Sequence, residues 1–385
     1  MSYSLHESPI PVMKPLLPTA DLITPYLEQI DENRWYSNFG PLVTQLESRL
    51  EKHFGVEEGT VALVSSATSG IVMAMRTLSV PRGSYCALPA WTFAATPAAV
   101  YNADMVPFFV DVDEDTWAVD PESLLQIREK ISAVVPVAPF GTPLDMDHWE
   151  SFQARTGLPI VVDAASCFDS FARVDSFRIS EIPVILSLHA TKTFGCGEGG
   201  LIICKNKDFI KRIKDLSNFG FTDEEMYARG ENAKMSEYTA AVGLAELDNW
   251  ENKRAHYQEL SDLYSKYLGN IGLQNWRSGD WISSTSIVRL PFDRVEDVVN
   301  ILKSKGIETR RWWRRGCHHF QAYSEFPRLP LITTEVLVNS ALGLPNWIGM
   351  TEEHVKRVIS GLCEAIQATD PSRAVSISPK SEAKA

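Results

Sequence analysis

Residues 184–205 read VILSLHATKTFGCGEGGLIICK. Two runs rich in β-branched and aliphatic residues, 184–190 and 199–205, read as strands, and between them lie Lys192 and a cluster of glycines. The glycines match the letters G-x-G-x-x-G, yet a strand-like run follows where the dinucleotide fingerprint requires a helix. Nicotinamide binding is therefore rejected, and the glycines are read as a tight turn beside a ligand. Upstream, short apolar runs at 60–66, 84–89, 105–112, 132–140 and 158–164 alternate with helical patterns. That rhythm predicts an α/β protein, a mostly parallel sheet with helices on both faces, and a further helix from about 207.

Around this sheet domain, expected over 23–245, the sequence places a Pro-rich arm at 1–22. Apolar residues at helical spacing over 246–268 predict one long helix opening a smaller α+β domain, 246–372, and 373–385 read as a polar tail. With 44% hydrophobic and 22% charged residues, the 385-residue chain has the composition of an ordinary globular protein. Its 37 basic and 49 acidic residues give a net charge of −12, which argues against nucleic acid or an anionic membrane surface as partner. An anionic ligand must be gripped by local donors. Six cysteines without a CxxC pair imply no disulfide framework and fit reduced thiols, and no apolar run approaches the ~20 residues of a membrane span. A soluble, cytoplasmic protein is expected.

Several residues carry chemistry. Lys192 follows a strand buried on both faces, where a desolvated amine suits bond formation with a carbonyl. Asp163 ends the run Pro-Ile-Val-Val-Asp, at the carboxyl edge where open α/β sheets bind ligands; alone it serves equally as a helix N-cap. Ser66-Ala67-Thr68-Ser69-Gly70 opens a helix after the first strand and offers free N–H groups to a phosphate, with the Ser187 hydroxyl as a further donor; a plain cap reads the same letters. Arg310-Arg311-Trp312-Trp313-Arg314-Arg315 concentrates guanidinium groups and indoles suited to a diphosphate and a flat ring, or else is a basic strand end with core tryptophans. Cys317-His318-His319 has no partner cluster at ligand spacing and reads as a loop with incidental imidazoles, so no metal site is assigned. No P-loop occurs.

In chain order, SSATSG, PAWTFAATPAAVYNADMVPFFVDVD, VVDAAS, SLHATKTFGCGEGGLI, GENAKMSEYTAAVGLAEL and ALGLPNWIGMTEEH resemble the DegT/StrS family of nucleotide-sugar aminotransferases. The resemblance implies fold type I of the pyridoxal 5'-phosphate (PLP) enzymes: a three-layer α/β/α large domain and a smaller C-terminal α+β domain. It implies that Lys192 bonds the cofactor aldehyde and then shuttles a proton, and that Asp163 holds the pyridinium nitrogen. Phe93 would stack on the ring. Ser166, where many relatives have glutamine, would face the ring hydroxyl directly or through water. Ala67, Thr68 and Ser187 would hold the phosphate, joined across a homodimer interface by Asn232. His189, Arg310, Arg311, Trp312 and His318 are expected around the substrate. The branch of the family that dehydrates carries histidine at the lysine position, so Lys192 points to transamination. The reaction implied passes the amino group of L-glutamate through pyridoxamine 5'-phosphate to a 4-keto-6-deoxy sugar nucleotide, with dTDP-4-keto-6-deoxy-D-glucose the first candidate. A 3-keto sugar, another PLP reaction and a sugar-nucleotide sensor are the alternatives. O-antigen and lipopolysaccharide synthesis is the pathway that the family suggests.

Overall fold

The computed structural model describes residues 8–222, 225–275 and 280–372; the polar tail at 373–385 and the first seven residues of the arm lie outside the described residues. Seven short strands build the larger sheet: β1 (Val61–Val64), β2 (Tyr85–Pro89), β3 (Val106–Val110), β4 (Ile131–Val134), β5 (Val162–Asp163), β6 (Val184–Ser187) and β7 (Gly200–Ile203). Ladders run β3-β2-β4 and β5-β6-β7-β1, and parallel bridges from Val134 to Ile160 and from Val137 to Asp163 join the two sets. The sheet order is thus 3-2-4-5-6-7-1. Only β7 is antiparallel to its neighbours. The segment between β6 and β7 holds no helix, and without a crossover helix the chain returns antiparallel.

Both faces of the sheet are covered, as its near-continuous apolar strands require. Val61, Leu63, Val184, Leu186, Leu201 and Ile203 pack with helices Pro41–Phe54 and Glu237–Asp248. The alternate residues Ala62, Val64, Ile185 and Ile202 face helices Ala67–Thr77 and Lys207–Ser217. A separate core lies between the antiparallel pair β8 (Ser286–Arg289) and β9 (Ala341–Leu344) and helices Trp250–Asn270, Val295–Ser304 and Glu352–Thr369.

Two expectations about helices need correction. The single helix expected over 246–268 is two helices, Glu237–Asp248 and Trp250–Asn270, with Asn249 between them at φ −105°, ψ 7°. The break lets the Lys253 amine return to the Glu246 carboxylate, an ion pair buried on both sides. After β3 the expected helix is a 3-10 turn, Pro121–Ile127, capped by Asp120. All six cysteines are unpaired and buried. Among the described residues no helix is long and apolar enough to cross a membrane.

Candidate active site

The parallel strands end on one edge, and the side chains that finish them converge. Asp163, the last residue of β5, is 6% exposed. Its Oδ2 accepts a 2.7 Å hydrogen bond from the Thr96 hydroxyl, itself 2.7 Å from the Thr92 hydroxyl, and its Oδ1 accepts from the Ala165 N–H at 3.2 Å. Burial raises the carboxyl above the ordinary aspartate range, opposed by the Thr96 and Ala165 hydrogen bonds and the Lys192 charge. Lys192 stands in the loop after β6 and donates from Nζ to the Ser166 hydroxyl at 3.0 Å. Burial depresses this amine below the usual lysine value, partly offset by Asp163 and then Cys167.

The cap Ser66 opens the helix Ala67–Thr77, its Oγ accepting from the Ser69 N–H at 3.1 Å. A Cβ built on Gly200 would stand 2.4 Å from the Ser66 carbonyl carbon and 2.5 Å from the Ala67 nitrogen. Only glycine lets β7 pass this close beneath the turn. Ala67, Thr68, Phe93, Asp163, Ser166, Ser187, His189, Lys192, Arg310 and Trp312 line a single cavity of about 440 Å³. Phe93 is 63% exposed there, a large apolar ring left open to a ligand. Thr191 donates its N–H to His189 Nδ1 at 3.2 Å, which places the neutral ring's proton on Nε2, 3.5 Å from Glu198.

Three expected residues lie outside this cavity. Arg310 exchanges both backbone hydrogen bonds with Gly343 of β9, so the chain is extended there and successive side chains turn to opposite sides. Arg310 therefore reaches the cavity, its guanidinium 4.6 Å from the centre of the Trp312 ring. Arg311 points the other way, pairing with Glu296 and donating to the Val338 carbonyl. His318 is 3% exposed, its Nε2 2.8 Å from Glu335 Oε1, an oxygen that also takes His319 Nε2 at 2.8 Å. The fold brings together a His-His-Glu group that sequence spacing did not show. Two ring N–H donors on one carboxylate account for it, and Arg328, which donates to the His318 carbonyl, adds a cation beside it. Asn232 is exposed, on a bridge to Asn218.

Sequence reasoning missed Thr92 and Thr96, and also Met13 and Phe140, which complete the wall beside Trp313 of the arginine-tryptophan cluster. Thr92 and Thr96 are four residues apart at a helix start, but nothing in that spacing names a carboxylate 67 residues on. Phe140 sat at the end of a strand-like run, whereas the chain there is left-handed, with φ 55°.

These residues fit PLP. A carboxylate that burial holds back from ionising would be stabilised by a protonated ring nitrogen. A helix N-terminus over a glycine suits a phosphate, and the Lys192 amine lines the same cavity. Relatives carry the same implication. A Shigella dysenteriae protein named dTDP-4-amino-4,6-dideoxy-D-glucose transaminase is 30% identical over 372 residues, covering 93% of this chain and 99% of its own length. A protein of that name from Escherichia coli is 32% identical over 267 residues, 69% of this chain and 71% of the relative. Among solved structures, one from Bacillus cereus assigned as a PLP-dependent aminotransferase superposes with a TM-score of 0.85 at 31% identity, covering 92% of this chain and all of that one. DesI, crystallised with its TDP-sugar product, gives 0.83 at 29% identity, with 95% and 94% coverage. The fold is that of the type I PLP aminotransferases. With the model of the DegT/DnrJ/EryC1/StrS aminotransferase family matching residues 19–363, the chain belongs to that family of enzymes.

Proposed function

We propose that this aminotransferase uses PLP to move the amino group of L-glutamate onto the keto carbon of a nucleotide-linked deoxy sugar. The acceptor that the relatives' names support best is dTDP-4-keto-6-deoxy-D-glucose, giving dTDP-4-amino-4,6-dideoxy-D-glucose. The observation that carries the reading is one cavity holding Lys192, with its amine 3.0 Å from Ser166, and the buried carboxylate of Asp163.

When bound, the cofactor supplies an electron-withdrawing ring that takes up charge as the donor's Cα–H bond breaks. Asp163 would hold the ring nitrogen protonated. Thr96 and the Ala165 N–H fix the carboxylate's orientation, so no reorganisation is needed as charge develops. Burial keeps more of Lys192 neutral at physiological pH than an exposed lysine, and the neutral amine both attacks carbonyl carbon and accepts a proton at Nζ. Ser166 Oγ gives the displaced amine a resting partner. The N–H groups at Ala67 and Thr68, with the Ser187 hydroxyl, would hold the phosphate, and Phe93 would cover one ring face. Arg310, backed by the Trp312 ring, faces the anionic part of the substrate.

The same proposal includes a homodimer. Asn232 is exposed and outside its own chain's cavity, and the exposed aromatic residues Tyr36, Phe219, Tyr227 and Tyr238 supply apolar area for a partner. It also places the enzyme in the cytoplasm, serving lipopolysaccharide O-antigen synthesis, and takes 23–245 and 246–372 as the two domains. The test incubates the PLP-loaded protein and glutamate with nucleotide-linked 4-keto and 3-keto sugars and identifies products by NMR. A 4-amino-4,6-dideoxy sugar is expected; a 3-amino product, or none, would contradict the assignment.

A further inference from the structure

Phe140 and Trp313 come from different parts of the chain and stack face to face on the cavity wall, ring centres 4.1 Å apart and planes 17° apart. Both hold left-handed backbone, φ 55° and 63°, a region that bulky side chains rarely adopt. Such strain persists only where surroundings over-determine it, and it gathers at functional sites. Trp91 packs edge-on against Trp313 at 5.4 Å, Trp117 edge-on against Phe140 at 6.3 Å, and Trp91 and Trp117 are buried. Phe140 is 6% exposed, so Trp313 is the more open of the two rings.

The stack and the reacting amine line the same cavity. Gly141, directly after Phe140, has φ 96°, and a Cβ built on it would lie 3.0 Å from the backbone oxygen of Ser166, whose hydroxyl receives the Lys192 amine. The Phe140 carbonyl accepts from Ser283 at 2.7 Å, fixing the turn from its other side. A sugar with its keto carbon at Lys192 would share this cavity with the half-buried face of Trp313. Met13, Val137 and Ala138 extend the apolar lining.

We infer that the Trp313 face, backed by Phe140, is the specificity wall that selects a methyl over a hydroxymethyl group on the acceptor sugar. The inference rests on the proposed sugar-nucleotide reaction and deepens it. An indole face packs a C6 methyl but offers a C6 hydroxyl no hydrogen bond there, so that hydroxyl loses water without return. Apolar walls discriminate weakly against an added hydroxyl, by about 100-fold at most. The selectivity expected is of that order and no larger.

The test runs the reaction in reverse with 2-oxoglutarate, comparing dTDP-4-amino-4,6-dideoxy-D-glucose with its 6-hydroxy counterpart on the PLP-loaded enzyme. The parent should favour the 6-deoxy sugar in kcat/KM by about 10- to 100-fold. Trp313→Gln should bring that ratio within about threefold, mostly through KM of the deoxy sugar, and Trp313→Phe should restore most of it. Cofactor spectra and the glutamate half-reaction report whether Trp313→Gln has kept its fold and site. A ratio unchanged in Trp313→Gln, or equal use of both sugars by the parent, would overturn the wall while leaving the reaction class standing. If the parent converts neither sugar nucleotide yet reacts with glutamate, the proposed acceptor falls, and the wall with it.

Discussion

The cavity floor and its roof are built by opposite means. The floor is made by strand ends: Asp163 finishes β5, Ser187 finishes β6, and Lys192 follows five residues later. A strand's period of two, pinned by neighbours on both sides, dictates where its last side chain points. The roof comes from the segment 310–319, of which Arg310, Trp312 and Trp313 line the cavity; an extended pair there is followed by left-handed backbone at Trp313 and Arg314 and a 3-10 turn at Cys317–His319. There, adjacent letters part company. Arg310 lines the cavity while Arg311 is committed to Glu296 and Val338. Position on a regular element carries functional information that composition alone does not.

Mutations that cut the floor should cost far more than those in the roof. Lys192→Ala should lower kcat by at least about 10⁴-fold, because it removes both the nucleophile and the proton carrier; single-turnover absorbance with glutamate checks this. Asp163→Asn should lower kcat about 100- to 1,000-fold with near-unchanged thermal stability, since the lost interaction acts on charge that develops during reaction. Equal losses in Asp163→Asn and in a roof variant would erase the contrast between the regions.

Within the roof, the neighbouring arginines sharpen the comparison. Arg310→Ala should raise KM for the sugar nucleotide about tenfold with little change in melting temperature. Arg311→Ala should do the reverse, leaving KM within about twofold and lowering Tm by about 2–4 °C, consistent with losing roughly 1 kcal/mol of hydrogen bonding. If Arg311→Ala shifts KM as strongly as Arg310→Ala, the alternation inferred from the Gly343 pairing is wrong.

A smaller effect concerns the cofactor-free protein. Lys192 has a folded-state pKa below its ordinary value of 10.5, so the unfolded chain binds the extra proton first as pH falls. Stability from this group is therefore lost on going down through 10.5 towards the folded value. The Tm advantage of cofactor-free Lys192→Met over the parent should widen across that descent. A constant gap would mean the amine is not desolvated.

Much of the floor was legible because buried strands announce themselves in apolar runs and the lysine and aspartate interrupt them. The alternation of 60–205 gave the layered sheet, though not the order 3-2-4-5-6-7-1, since bridges such as Val137 to Asp163 join segments distant in sequence. The break at Asn249 was hidden by helical periodicity continuing through it, and the buried Lys253–Glu246 pair that spans it is a contact no periodicity displays. His318 looked like a ligand for substrate because its partner, Glu335, lies 17 residues away on another element. Thr96 on Asp163 was invisible for the same reason.

The central claim is that the Lys192 amine, in the same cavity as the Asp163 carboxylate, bonds the cofactor aldehyde. Reducing the PLP-loaded protein with borohydride and mapping its peptides tests it most directly. The cofactor's mass should appear on the peptide containing Lys192 and vanish when excess glutamate precedes reduction. Labelling of a different lysine, or labelling of Lys192 that glutamate leaves untouched, would contradict the account.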